Sequence, residues 1–592
     1  VVESNGVTSR GLNPRWLRNL LRGIAVAMAA VHSAVAVMQQ SMNEDGINYL
    51  DMGDAYLRGD WDAAINGVWS PVYGVLIAAV VRIGDASIWW EFPIVQIANF
   101  AIYILALLSF EFFWTRLTLQ YYGRYYGDRA DGEECILFPP AAWLALGYSL
   151  FIWSSLDLIQ VWSVTPDMCV AAIAYLAAGL MLKISAEPDD SRAFGRHFAI
   201  LGLLLGFGYL VKAALLPLGL VLLVLAALTR AGSPGRRAGN FLASLAAMLL
   251  VAGPLLGALS WSAGQLTMGD VGRFTYLKHV NEMPYPDFHA AVERLQGSPV
   301  TPPRRVFDEP PIYEFAEPVA GTYPMAFDPG YWTAGLTPVI SAQGQARALI
   351  TSAMFYFDLF LRRQGGFLAL VLVLGILSVR RSFRPLKIDG AAVLVLWSLA
   401  AFAMYAVVHA LPRYVAPFVT LFWAGLLGGM RFPPDVSGKK LATVGAVLLT
   451  LFVWINLAVL NLDGLRRVTG FTPLAEGAMQ PAAEVETHVA NHPAIADELL
   501  QMGLRNGDQI AFIGYSFTEY WARLARLRIV AEIHWHDVDR FWSAPADTRA
   551  GAIAAFAGTG AVAVIAAPVE MDELPPGWQA VGDTGYLLYL LR

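Results

Sequence analysis

The sequence predicts a polytopic α-helical membrane protein of about eleven spans, with its N-terminus inside, its C-terminus outside and a small C-terminal extracytoplasmic α/β domain. Three observations predict this class. Of 592 residues, 56% are hydrophobic and only 15% charged, with a mean hydropathy of +0.50; soluble domains carry about 25% charged residues. Apolar runs recur along the chain, and the loops at alternate ends of them are basic, which marks those loops as cytoplasmic. The last stretch instead alternates strand-like and helix-like patterns, as a small α/β unit does. The 18 Trp and 23 Tyr suit interfacial belts. A net charge of -6 argues against a nucleic-acid partner.

Three parts are expected: a cytoplasmic segment at 1–20, a membrane domain at 21–462 and an extracytoplasmic domain at 475–592. Arg10, Arg15, Arg18 and Arg22 hold the first end in the cytoplasm, and no cleavable leader is expected there. The first span, 21–40, runs outward, so the loop 41–91 lies outside. Within it, 70–84 is short for a span and should lie along the outer surface or re-enter. Span 92–114 returns to a loop carrying Arg116, Arg124 and Arg129. Span 136–153 goes out and 166–183 comes back to Lys183, Arg192 and Arg196. Residues 198–229 are flanked by basic residues at both ends, which makes them a tight pair of short spans with Lys212 at the outer bend. Span 239–261 leads to the long outer loop 262–347, followed by an interfacial helix at 348–362. The remaining spans, 365–379, 388–407, 414–430 and 441–461, alternate around basic loops at 380–387 and 431–440. Cys135 falls in a cytoplasmic loop and Cys169 inside a span, so neither a disulfide nor zinc-site spacing is expected.

In the tail, helices are expected at 518–527 and 551–560, with strands around 508–514, 527–533, 561–567 and 584–592 in a parallel sheet. Gly514-Tyr515-Ser516 is no dinucleotide fingerprint. His534 and His536 lie close together, but a metal centre is not expected at that strand end.

Polar residues interrupt the apolar pattern at a few places, and carboxylates or cations beside a membrane are costly enough to need a reason. The stretch 43–74 holds Glu44, Asp45, Asp51, Asp54 and Asp60. Its order is Asp45-Gly46 then Tyr49, then Gly59-Asp60-Trp61, then Asn66 and Trp69-Ser70-Pro71-Val72-Tyr73. Asp167 opens a span in Thr165-Pro166-Asp167, where helix capping is an equally good explanation. Lys212 lies in 206–217, bounded by Gly206 and Pro217, and snorkelling would also account for it. Arg413 lies in Pro412-Arg413-Tyr414, and suits either bidentate phosphate binding or interfacial anchoring. Asp51, Asp54 and Asp62 read as solvated charges or caps, and Asp60 as a residue that shapes the loop.

This ordered set, Asp45, Gly59-Asp60-Trp61, Asp167, Lys212 and Arg413, resembles the polyprenyl-phosphate-sugar-dependent glycosyltransferases of the membrane-embedded GT-C class. That class includes protein O-mannosyltransferases, lipid A aminoarabinose transferases and arabinofuranosyltransferases. The likeness covers roughly 20–430 and leaves the tail outside it. It implies a GT-C-like fold and a hexosyl- or pentosyltransferase of the cell envelope, in the plasma or inner membrane. A sugar would pass from a lipid-linked donor to a glycan, lipid or protein acceptor on the extracytoplasmic face. By that resemblance Asp45 is the acceptor-activating base with Glu44 its companion. Many relatives have Asp-Glu in tandem where this chain has Glu44-Asp45, so either carboxylate remains open as the base. Asp167 matches the second acidic position, and Lys212 and Arg413 match cations that hold the donor phosphate. Direct displacement with inversion is implied. Metal use varies across the class, so a divalent ion, Mg or Mn, stays open. Tyr49, Trp69, Tyr73, Arg273, Tyr276 and His279 are candidates for contact with substrate. The rivals are a lipid or solute transporter or flippase, and a non-catalytic envelope-assembly protein. Transporters tend to show internal repeats and midplane sites, and neither is evident here.

Overall fold

The computed structural model describes residues 15–40, 42–130, 135–187, 192–229, 234–283, 295–315, 321–378, 389–469, 491–569, 571 and 573–591, except the side chains of 124–130, 192–194 and 460–469. Arg10, the basic loop at 380–387 and the boundary near 475 fall outside the described residues.

Helix α1 (Arg15–Gln39) is followed by α2 (Glu44–Arg58), which starts at the acidic stretch. Gly59 ends α2 in the left-handed region, at φ 73°, and its N–H closes on the last turn. Asp60 then caps a single turn at Trp61–Ala64, its carboxylate accepting from the Ala63 N–H at 3.4 Å. Pro71 sits in the first turn of α3 (Pro71–Ile83), whose fixed φ suits that place. At 13 residues α3 is about 20 Å long, short of a hydrocarbon core of about 30 Å.

Helices α2 and α3 pack at glycines. A Cβ on Gly53 would lie 2.2 Å from the Gly74 carbonyl oxygen, and one on Gly74 would lie 2.6 Å from the Tyr49 carbonyl oxygen. Both obstacles are backbone and cannot turn aside. Gly53→Ala is therefore expected to cost about 1–3 kcal/mol as an overpacked contact. The thermal midpoint of the purified protein should fall, whereas Gly23→Ala, where a Cβ meets nothing within 4 Å, should leave it in place.

The bundle continues with α4 (Glu91–Ala130), α5 (Pro140–Trp153), α6 (Asp167–Ala186), α7 (Arg192–Val211), α8 (Leu215–Leu228) and α9 (Pro234–Ala263). After α10 (Val271–His279) come α11 (Ala342–Phe357), α12 (Gly365–Leu377), α13 (Gly390–Ala406), α14 (Pro412–Gly428) and α15 (Val436–Thr469). The described parts of the segments expected to cross are mostly helical. By length and composition six described helices can cross a membrane, or seven if 342–363 and 365–377, bent by 76° at Gln364, form one span. Helices α7, α8 and α13 are shorter and apolar. Of these candidate spans α5 and α6 are the most buried, whereas α9 and α15 expose Leu249, Leu250, Leu451 and Ile455. Helices that are apolar on the outside as well as the inside are what a lipid surround requires.

The tail forms α16 (His492–Gln501), β3 (Gln509–Gly514), α17 (Tyr520–Leu524), β4 (Arg528–His534), α18 (Val538–Ser543), α19 (Ala546–Ala557), β5 (Ala563–Ala566), β6 (Trp578–Ala580) and β7 (Leu587–Leu590). Its sheet departs from expectation twice. The order is β1-β2-β4-β3-β5-β7-β6, and only β4-β3-β5 is parallel, so the sheet is mixed. Strands β1 (Arg304–Phe307) and β2 (Ile312–Glu314) come from the long loop, with Tyr313 opposite Glu532 and Glu314 opposite Ala531. The 262–347 segment is thus partly structured and completes the tail's sheet. Ile312 packs into that sheet's core with Val530, Ile533 and Val564. A second seam joins tail to bundle: Arg523 of α17 lies 1% exposed among Asp51, Asp54 and Glu91. Asp51 and Asp54 are therefore not solvated charges.

Candidate active site

Four chain segments bring two carboxylates and two cations together. Asn43, just ahead of α2, pairs through its amide with the backbone of Val164: its Oδ1 accepts from Val164 N–H at 2.8 Å and its Nδ2 donates to the Val164 carbonyl at 3.3 Å. A Cβ on Gly46 would lie 2.8 Å from Val164 Cβ, so the glycine after Asp45 permits this close approach. The start of α2 is thereby held beside the start of α6, and Asp45 beside Asp167.

Asp167 is buried, but its side chain makes no capping bond. Instead it receives Lys212 Nζ at 2.5 Å. Lys212 stands at the break between α7 and α8, with Nζ 3.8 Å from the ring centre of Tyr414. Arg413, in the first turn of α14, donates from Nη2 to Asp45 Oδ2 at 2.7 Å, and its Nε is 3.5 Å from Asp167 Oδ2. That Asp167 oxygen is buried and has no hydrogen bond; Arg413 offers it charge without a donor in line. Formal charges balance across the four groups. The two faces differ in access: Asp45, Arg413 and Lys212 keep 25, 24 and 20% of their side-chain surface exposed, and Asp167 only 2%.

These groups line a cavity of about 2210 Å³ that also reaches Glu44, Tyr49, Trp69, Lys278, His279 and His409. Glu44 is held apart from the cluster, accepting from the Tyr515 hydroxyl of the tail at 2.7 Å. Tyr49 packs edge-on against Trp69 and Tyr73. Tyr73 is fully buried, donates to Asn99 and does not line the cavity. Arg273 and Tyr276 do not line it either. Arg273 pairs with Asp270 and donates to the carbonyls of Gly330, Thr333 and Leu336, so it staples the long loop. Tyr276 donates to Gln345. Trp69 donates to the Phe327 carbonyl at 2.9 Å, which ties the acidic stretch to the same loop.

Sequence reasoning missed several cavity residues. Tyr515 gave no signal beyond following a strand. His409 was visible only as a flank of a span, yet its ring stacks on His279 at 3.9 Å with 4° between planes. Burial, then His409 and Lys278, push His279 down to about 4; burial, then Lys278 and Arg413, push His409 below its usual range. A folded-state value below the unfolded one, about 6.5, contributes stability that is present above pH 6.5 and lost as pH falls toward 4. The thermal midpoint should therefore drop across that window, and the drop should be shallower in His279→Gln.

Among the described residues no group of three or more His, Cys, Asp and Glu converges as a metal centre would require. His534 and His536 lie near each other in the tail without a third such ligand. Arg413 occupies the space between Asp45 and Asp167, so the carboxylates present do not form a ready site for Mg or Mn.

No family model matches the chain, and no curated protein matches it. Among solved structures it is similar to ArnT from Cupriavidus metallidurans bound to undecaprenyl phosphate, with 13% identity, TM-score 0.49 and 95% of this chain and 97% of that chain covered. The chain is also similar to the Archaeoglobus fulgidus oligosaccharyltransferase in complex with Zn and sulfate, with 12% identity, TM-score 0.46 and 92% and 67% covered. A third match is the oligosaccharyltransferase AglB from the same organism, with an inhibitory peptide and a dolichol-phosphate, at 10% identity and TM-score 0.36, covering 93% of this chain and 70% of that one.

Proposed function

We propose that this protein is an integral-membrane glycosyltransferase that moves a sugar from a polyprenyl-phosphate donor to an acceptor hydroxyl on the extracytoplasmic face. The observation that carries this reading is the convergence of Asp45, Asp167, Lys212 and Arg413 at one cavity. Sugar transfer from a phosphate needs a base at the attacking hydroxyl and cations at the departing phosphate. Both kinds of group are here, a few ångströms apart.

In the proposed reaction the donor phosphate takes the Arg413 donor that Asp45 now holds and the N–H groups of Lys212 that do not go to Asp167. Arg413 offers a flat pair of N–H groups, and Lys212 a point charge. The acceptor hydroxyl lies against Asp45. As its oxygen bonds to the anomeric carbon, its proton passes to Asp45 and the carbon–oxygen bond to phosphate breaks. The electron pair stays on the phosphate oxygen, where Arg413 and Lys212 meet the added charge. A one-step displacement inverts the sugar carbon. Asp45 is preferred to Glu44 as base because the Tyr515 hydroxyl occupies Glu44. Asp167 holds Lys212 in place, and Tyr49 and Trp69 form an aromatic wall beside Asp45. No step requires a metal.

The charge distribution supports this orientation. Arg15, Arg18 and Arg22 begin α1, and the site follows its other end. Arg236 and Arg237 likewise begin α9, and Arg431, Lys439 and Lys440 lie beyond the far end of α14 from Arg413. Basic ends mark cytoplasmic sides, which supports an extracytoplasmic cluster in a plasma or inner membrane.

The test is lipid mass spectrometry of cells with and without the protein. Sugar-loaded polyprenyl phosphate should accumulate without it. Unchanged lipid-linked sugars, together with movement of a lipid or solute by the purified protein, would favour a transporter and sink the reading.

A further inference from the structure

The cavity is electrostatically divided. Among the described residues its Lys and Arg side chains, Lys212, Lys278 and Arg413, come from the bundle and the long loop. The tail contributes Glu498, Glu519, Asp539 and Asp583 and, among the described residues, no Lys or Arg. Its wall is built at the carboxyl ends of the three parallel strands, where Gly514 closes β3, His534 closes β4 and Ala567 follows β5. In open α/β sheets that edge is where ligands bind. Trp535, 37% exposed, lines the cavity there with its ring against that of His536, 3.5 Å between ring centres.

Two polar groups on this wall are left in states that suit a neutral partner. His492 lines the cavity, yet its shielded Nδ1 has no hydrogen-bond partner. Burial pushes His492 down to about 4, so it faces a ligand uncharged. Glu519 is buried, accepts from Tyr586 at 2.9 Å and from Trp521, and burial pushes it up to about 7. A buried nitrogen without a partner is costly unless a ligand supplies one.

We propose that this wall is the acceptor subsite and that it takes a hydroxyl-rich, non-anionic glycan. Naming the ligand an acceptor rests on the transferase reading above. Carboxylates accept from sugar hydroxyls, and the Trp535 face covers the apolar side of a sugar ring. On this wall a phosphorylated or carboxylated ligand would meet Glu498, Asp539 and Asp583 and, among the described residues, no Lys or Arg. A peptide usually binds an extended sheet by adding to an edge strand. The edge strands here are β1 and β6, and neither lines the cavity. The Glu44–Tyr515 bond joins this wall to the residue beside Asp45, so a glycan held on the wall has its end at the base.

The experiment uses the purified full-length protein in detergent on an array of neutral, amino-bearing, sulfated and carboxylated oligosaccharides and of peptides. A parallel measurement follows binding of undecaprenyl monophosphate. Neutral or amino-bearing oligosaccharides should bind, and Trp535→Ala and Asp583→Asn should each weaken them by about tenfold, the scale of one lost aromatic contact, without lowering the thermal midpoint. Arg413→Gln should weaken the lipid phosphate instead. No glycan binding, a preference for anionic glycans or peptides, or glycan binding untouched by both tail variants would overturn the proposal. Failure of wild type to bind the lipid phosphate would overturn the transferase reading while leaving the glycan result to stand or fall by itself.

Discussion

Arg523→Ala is expected to detach the tail from the bundle and to cost about 3–5 kcal/mol, the loss that follows when one partner of a buried ion cluster is removed. Arg523 donates to Asp51 at 2.5 Å, to Glu91 at 2.9 Å and to Asp54 at 3.0 Å. Asp51 also accepts from the Thr322 N–H at 2.7 Å, and Glu91 from the Tyr520 hydroxyl at 3.1 Å. With Arg523 gone, Asp54 and Glu91 keep Arg526, which is 44% exposed, and Asp51 has no cation partner among the described residues. Limited proteolysis should then release the tail, and the thermal midpoint should fall. Arg523→Lys should rescue only in part, because an ammonium cannot satisfy three carboxylates in a fixed plane. Activity should fall with docking, since Asp51 and Asp54 share α2 with Asp45.

Asp45→Asn is expected to slow sugar transfer by about 10²–10⁴, the usual worth of a positioned general base. The substitution keeps the shape of the side chain and removes the charge. It also frees Arg413 of its 2.7 Å carboxylate partner, so binding of a polyprenyl phosphate should be unchanged or tighter. That pattern, slower turnover without weaker binding, separates a lost base from a collapsed site.

The four clustered residues were legible because a membrane makes each polar interruption exceptional. Asp167 at the head of a span and Lys212 in the middle of an apolar run stand out from their neighbours, and parity of the basic loops puts them at one end of the bundle. The tail's seam was not legible. Asp51 and Asp54 look like ordinary loop acids until Arg523 arrives from 472 and 469 residues away. Strands β1 and β2 were hidden for a similar reason: they are four and three residues long and owe their pairing to β4 more than to their own pattern. Arg273 shows the converse. An arginine in a stretch dense in aromatic and polar residues suggests substrate contact, whereas in the fold loop carbonyls take its donors, and nothing local distinguishes the two uses.

The most direct measurement is a single turnover of purified protein preloaded with a sugar-linked polyprenyl phosphate, followed by mass spectrometry of the lipid. The account predicts that wild type yields free polyprenyl phosphate and glycosylated acceptor, and that Asp45→Asn holds the donor but turns over at most about one hundredth as fast. Transfer by Asp45→Asn at the wild-type rate, with donor bound, would contradict it.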